Sequence, residues 1–348
     1  MLTAFRWLIR IVSGLIALGV VAAVLAYYIL SRSLVDYDED FTVRGITAPV
    51  EIVRNNDNVP HIFGQTDEDV YYALGFAHAQ DRLWQMMMLR RTAQGRLSEI
   101  FGPATVKVDE LMRRFDLYGL ALQSAQVQDE ATTRALEAYA AGVNAWIEEV
   151  NNGARGRGAP EFFLFQPEIS AWAPADSIAI LKLMALQLSS ALQTEVLRAR
   201  VSLLLPNDRL ADLLPDDPSQ GVAALPDYAS LVPGVAPLGT PVTFAGGPFS
   251  PVAGPGMAGA SNSWAAMPER SAAGGSLLAN DPHLGLTAPT IWYLARLELS
   301  TGGVIGGTIP GVPLVLVGRS DKLGWGLTTA YVDDQDVVIE ALNPENTE

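Results

Sequence analysis

Hydrophobic and polar positions divide the chain into four stretches of different character. The first is one apolar run. No charge occurs between Ile11 and Ser31, and about 20 such residues suffice to cross a bilayer as a helix. Residues 1–35 therefore read as a membrane anchor or a signal segment. The run exceeds the roughly 7–15 apolar residues of a signal-peptide core, which favours an uncleaved anchor. Arg6 and Arg10 precede it and Arg32 follows, a bias that puts the N-terminus in the cytoplasm and the bulk of the chain on the exported side. Asp36, Asp38, Glu39 and Asp40 come soon after.

From residue 36 to 204 the pattern is mainly helical. Val50–Val53 is a short strand and Asn55–Asn58 a turn cluster. Thr66, with acids at 67–69, suits a helix start. The helix that follows carries Val70, Leu74, Trp84 and Met88 at helical spacing and ends near Gly95. Leu136, Tyr139, Val143, Trp146, Ile147 and Val150 form the core-facing stripe of a second helix. A third opens at Pro174-Ala175-Asp176-Ser177 and runs towards Leu203.

Between residues 205 and 260 repeated prolines, with Gly and Ala between them, break any long helix or strand. A stretch this long reads as a removable spacer or a hinge. Residues 261–348 then turn to β patterning. Ser261–Met267 and Gly275–Asn280 form a hairpin about the loop 268–274, and pairing Met267 with Gly275 sets Ser261 opposite Asp281, with His283 beside it. Further strands are expected at Trp292–Leu299, Leu314–Val317 and Leu323–Thr329. The short, sheet-rich stretch after Ser261 has the character of a domain that continues beyond Glu348.

Composition narrows the function. A net charge of −15, with scattered basic residues, excludes a nucleic-acid binder. The chain has no cysteine, so disulfides, zinc-thiolate sites and thiol nucleophiles are excluded. Of the three histidines, His78 lies within the first long helix as a packed structural residue, and His61 follows a proline in a loop.

Ser261 carries the candidate chemistry. Small residues precede it and a strand follows, as suits a cut exposing a new N-terminus. Its hydroxyl and its own α-amine, which titrates near roughly 7.7–8.0, would then sit on one residue as nucleophile and base. A conventional Ser-His-Asp triad, with His283 and Asp281 or Asp333, is the competing reading; no Gly-x-Ser-x-Gly elbow surrounds the serine. Asp333-Asp334-Gln335-Asp336 reads either as part of a calcium shell or as a solvated acidic turn.

Several runs together carry a family resemblance. Pro60-His61-Ile62-Phe63-Gly64, the stretch from Gly75 to Met86 (Gly-Phe-Ala-His-Ala-Gln-Asp-Arg-Leu-Trp-Gln-Met) and Gly95-Arg96-Leu97-Ser98-Glu99 resemble the start of the α-subunit of penicillin acylases. Ser261-Asn262-x-Trp264, Asn280-Asp281-Pro282-His283, Pro310-Gly311-Val312-Pro313 and Gly324-Trp325-Gly326-Leu327-Thr328-Thr329 resemble the start of their β-subunit, in the same order. The resemblance covers nearly everything after the apolar run.

It implies an α+β fold: the αββα sandwich of N-terminal nucleophile hydrolases, incomplete here, with a helical α-subunit region and an N-terminal transmembrane helix. It implies a precursor cut between Ala260 and Ser261, giving an α/β heterodimer after loss of the spacer. Ser261 becomes the nucleophile, His283 its neighbour, and the backbone N–H of Thr329 an oxyanion donor. Calcium ligands fall on Asp333, the carbonyl of Gln335, Asp336 and Glu195, and acyl-pocket positions on Leu284, Val317 and Leu327. The substrate is then a small N-acyl amide with an apolar acyl group, cleaved by a protein held at a bacterial inner membrane with its bulk in the periplasm. The family's second oxyanion donor, an Asn, and a supporting Arg come later in the β-subunit than Glu348, so this stretch by itself is expected to be inactive. The alternative is a non-catalytic, membrane-anchored binding protein on the same scaffold.

Overall fold

A computed structural model describes residues 2–153, 155–165, 167–188, 191–202, 209, 261–282, 284 and 287–328. Helix α1 spans Leu2–Ser31; its side chains are exposed from Thr3 to Leu30, and it approaches the body at the 3-10 turns Arg155–Gly158 and Pro160–Phe163. Strands β1 (Glu51–Arg54) and β2 (Pro60–Phe63) follow, so His61 lies in a strand and not in a loop. Helix α2 (Asp67–Ala93) is the centre of the molecule. Thr66 caps it by accepting from the Asp69 amide at 3.1 Å, and three acids occupy its first turn where the helix dipole favours them.

Around α2 pack α3 (Ser98–Phe101), α4 (Val106–Phe115), α5 (Leu117–Gln126), α6 (Glu130–Gly153) and α7 (Pro174–Leu188). Every residue of the expected α6 stripe, from Leu136 to Val150, is buried. Helices α2 and α6 approach so closely that a Cβ on Gly75 would strike the Tyr139 carbonyl, and one on Gly142 the Tyr72 carbonyl. Backbone against backbone leaves no flexible group to yield. The third expected helix is described as α7 followed by α8 (Ala191–Ser202), with residues 189 and 190 outside the described set.

After the proline-rich stretch come β3 (Ser261–Ala266), β4 (Leu277–Pro282), β5 (Tyr293–Leu299), β6 (Gly302–Thr308), β7 (Val317–Ser320) and β8 (Gly324–Trp325). Among the described residues there are two sheets: β3 pairs with β4, while the other runs β1-β2-β5-β6-β7-β8. The larger sheet therefore draws strands from both sides of residues 205–260. Its seam is the parallel pairing of β2 with β5, His61 to Arg296 through Phe63 to Glu298.

Four expectations about the strands need correction. Ser261 pairs with Pro282, and Asp281 with Asn262, one residue from the expected register. The hairpin loop is longer than the turn residues suggested, because Pro268–Arg270 coil into a 3-10 turn and pairing resumes only at Leu277. The strand expected at 314–317 begins at Val317, after Leu316 donates to the Gly307 carbonyl at 2.9 Å. The strand expected at 323–329 shortens to Gly324–Trp325.

Candidate active site

Ser261 opens β3, where its backbone rather than its side chain fixes its position. Thr328 Oγ1 donates to the Ser261 carbonyl at 3.1 Å. One side chain ties the neighbouring strip to the hairpin. From β4, Asn280 donates through Nδ2 to the Asn262 and Leu327 carbonyls, both at 2.9 Å, and accepts the Leu327 amide at 3.1 Å. A side-chain amide suits this work, since it offers two donors and an acceptor at once. Gly326 permits the contact: a Cβ there would lie 2.8 Å from Ser263 Oγ and 2.9 Å from Asn280 Cβ. The strip 326–328 is thus laid along the hairpin beside Ser261. Sequence reasoning gave Asn280 no role, although it heads the run Asn280-Asp281-Pro282-His283; a polar side chain among the apolar Leu277, Leu278 and Ala279 was the available signal.

Among the other expected site residues, Leu327 belongs to that strip and is half exposed. Val317 starts β7, one strand away, paired with Gly307. Leu284 follows β4, and its amide donates to the Pro282 carbonyl at 2.9 Å. Glu195 lies in α8. His283, Thr329, Asp333, Gln335 and Asp336, like the proline-rich stretch other than Arg209, lie outside the described residues. Among the described residues no three His, Cys, Asp or Glu gather as a metal site would require.

Beneath this surface two buried networks join the segments before and after the proline-rich stretch. In the first, Thr308 Oγ1 gives its proton to the Tyr293 carbonyl at 2.7 Å, so towards His78 it can only accept. His78 therefore carries its proton on Nε2, donated to Thr308 at 2.9 Å, and its Nδ1 accepts from Tyr139 Oη at 2.7 Å. Tyr139 Oη in turn accepts the Gly311 amide at 2.8 Å. Every polar atom is satisfied only if the imidazole is neutral. Burial, with Arg82 nearby, holds the His78 pKa down to about 3. This histidine is structural, as its place in the helix suggested.

In the second network Asp81 accepts from Arg54 at 2.8 Å, from Tyr293 at 2.6 Å and from Tyr37 at 3.0 Å. Arg54 also donates to Gln80 at 3.1 Å, and its guanidinium lies 4.0 Å from the Tyr37 ring centre. Burial opposes the Arg54 cation, but Tyr293, Asp81 and Tyr37 outweigh it and raise its pKa. Beside this cluster α2 departs from helical geometry at Arg82. One turn on, Gln85 donates to the Thr290 carbonyl at 3.1 Å, holding the loop that leads from the hairpin to β5.

The family model for penicillin amidase matches residues 49–348. The chain belongs to the penicillin amidase family. It is 34% identical over 313 residues to an acyl-homoserine lactone acylase, QuiP, of Pseudomonas aeruginosa, covering 86% of this chain and 35% of that protein. It is 33% identical over 322 residues to the penicillin acylase 2 proenzyme of a Pseudomonas species, covering 89% and 40%. A solved penicillin G acylase from Alcaligenes faecalis aligns at 25% identity with a TM-score of 0.43, over 51% of this chain and 97% of the other. This family member thus spans 35% and 40% of the length of the two relatives named first.

Proposed function

We propose that the full protein is a self-processing amide hydrolase, an acylase that cuts N-acyl amides with an apolar acyl group. The carrying observation is that Ser261 opens a strand while the strip leading directly to Thr329 is bonded to its backbone. Relatives named as acylases, one of them a proenzyme, add support.

In this reading the bond between Ala260 and Ser261 is cut and the spacer is lost, leaving an α/β heterodimer. The freed α-amine of Ser261 accepts the hydroxyl proton as Oγ attacks the amide carbonyl carbon. The oxyanion that forms is met by the Thr329 N–H, and His283 sits beside the nucleophile. The amine leaves with the proton, an ester to Ser261 remains, and water attacks that ester to release the acid and restore the hydroxyl. Leu284, Val317 and Leu327 line the acyl side. The αββα sandwich is the fold we assign to the complete catalytic domain.

N-terminal sequencing and a Ser261→Ala variant test this. The mature second chain should begin at Ser261, and the variant should stay uncut and lose hydrolysis by about three or more orders of magnitude. An uncut wild-type chain that hydrolyses amides would overturn the mechanism. A protein that binds acyl amides without turnover would favour a non-catalytic, anchored binding protein.

Calcium is a second part of the proposal. Glu195, Asp333, Asp336 and the Gln335 carbonyl are an all-oxygen donor set of the kind a hard cation takes. Such an ion binds the folded state alone, so EDTA should lower Tm, and added calcium at about 100 times Kd should restore about 2.7 kcal/mol. Acyl-chain preference should not change. No bound metal and no shift would leave the acidic run a solvated turn.

The third part is α1 as a single-pass inner-membrane anchor, its N-terminus cytoplasmic and the body in the periplasm. The uncharged run from Ile11 to Ser31 is about 30 Å long as a helix, which matches the hydrocarbon core and leaves Trp7 with Arg10 before one end and Tyr28 with Arg32 at the other. Arg10 lies over the Trp7 ring at 5.5 Å and Arg32 over Tyr28 at 5.9 Å.

A further inference from the structure

We propose that residues 32–41 form a short, fixed clasp that seats the globular body on the bilayer surface, with the face around Tyr37 turned to the lipid headgroups. The proposal rests on the reading of α1 as an anchor. It concerns what that reading leaves open, namely whether the body hangs on a loose tether or is held in one pose.

The first argument is length. Six residue steps separate Ser31, the end of α1, from Tyr37, so the chain spans at most about 20 Å between them. Turns shorten this further, since Ser33 and Leu34 donate back to Leu30 and Ser31. The second is fixation. Tyr37 donates to Asp81 at 3.0 Å and lies under the Arg54 guanidinium. Four residues on, Phe41 sets its ring edge-on to Phe76 at 5.1 Å and to Trp146 at 6.0 Å. The Arg44 carbonyl accepts from Tyr72 at 2.8 Å, and Thr47 donates its amide and hydroxyl to Asp69 at 2.7 and 2.6 Å. Within eleven residues the chain is tied repeatedly to α2 and α6, which a swinging linker is not.

The third argument is charge. Asp36, Asp38, Glu39 and Asp40 fall in the clasp, and acids are tolerated best against a surface poor in anionic lipid. The partner is therefore a bilayer surface of zwitterionic headgroups.

The absence of cysteine makes a label unambiguous. Asp57 is exposed in the β1–β2 turn, beside Asn58, whose carbonyl accepts from Arg54. The full chain carrying Asp57→Cys, labelled with a fluorophore, would be reconstituted into phosphatidylcholine vesicles holding a headgroup quencher. Flotation of the protein with the vesicles reports anchoring, and quenching reports the pose. We expect strong quenching that falls about threefold when twenty Gly/Ser residues, an extra reach of about 25 Å, are inserted between Ser33 and Leu34. Tyr37→Ala with Phe41→Ala should reproduce part of that fall. Protein that does not float overturns the anchor reading, and the clasp with it. Protein that floats but is quenched weakly, with no response to the insertion, overturns the clasp alone.

Discussion

The core around α2 and the hairpin that carries Ser261 come from one chain but are stabilised in opposite ways. Around α2 most side chains are buried, and His78, Asp81, Tyr139, Tyr293 and Thr308 satisfy one another across α2, α6, β5 and β6. Among the described residues the hairpin has little packed against it: Trp264 and Met267 are each 67% exposed, and Leu277 and Leu278 are exposed beside them. Among the described residues it is tied to the larger sheet by hydrogen bonds centred on Asn280 and by Leu278 against Gly324. The difference teaches that the scaffold and the candidate nucleophile do not share one source of stability. A change that ruins the first should unfold the protein, whereas a change in the second should disturb the site alone.

The largest break should come from Gly142→Ala. A methyl there meets the Tyr72 carbonyl, so α2 and α6 must separate, at about 3 kcal/mol or more. Chemical denaturation should show the loss, and an unchanged midpoint would mean that the helices can slide apart freely.

Acid should sharpen the contrast next. His78 titrates near 6.5 when unfolded and at about 3 when folded, so between those values the unfolded chain binds the extra proton. Stability must then rise with pH across that window. It is lost as pH falls from 6.5 towards 3, by up to about 1.4 kcal/mol per unit. Melting curves from pH 7 to 4 on wild type and His78→Gln would isolate this share, which the variant should lack.

The smallest global effect, and the most local, belongs to Asn280→Ala. Three hydrogen bonds disappear, yet the core is untouched. Amide exchange at Leu327 should quicken about tenfold while β5 and β6 keep their protection. Equal loss in both regions would show that hairpin and core unfold as one.

Sequence patterning revealed the scaffold better than the site. The α6 stripe was legible because burial on one face leaves a 3.6-residue period, and the start of α2 because a capping threonine does not depend on distant partners. Strand β6 was not: at Gly306 a Cβ would strike the Val317 carbonyl of β7 and at Gly307 it would crowd Trp292 and Val317, and with Gly302 and Gly303 these glycines erase the alternation that marks a strand. The hairpin register was missed by one residue because Pro268–Arg270 coil locally, a choice that turn residues alone do not signal. Ser261 was singled out by its small neighbours and the strand expected after it, and that strand is β3. Asp81, Arg54, Tyr37 and Tyr293 went unread, since they come from four separate segments and Tyr293 joins the other three from across the parallel seam.

That seam has a consequence in time. His61 and Arg296 must find each other across a long stretch of chain, a costly search that is paid once while the ends are still joined. If the chain is then cut before Ser261, the same pairing becomes an encounter between two molecules. Unfolding of the mature protein would lead to separated halves, with refolding now dependent on concentration. The lifetime of the active form would be governed by how rarely β2 and β5 part rather than by an equilibrium between folded and unfolded states.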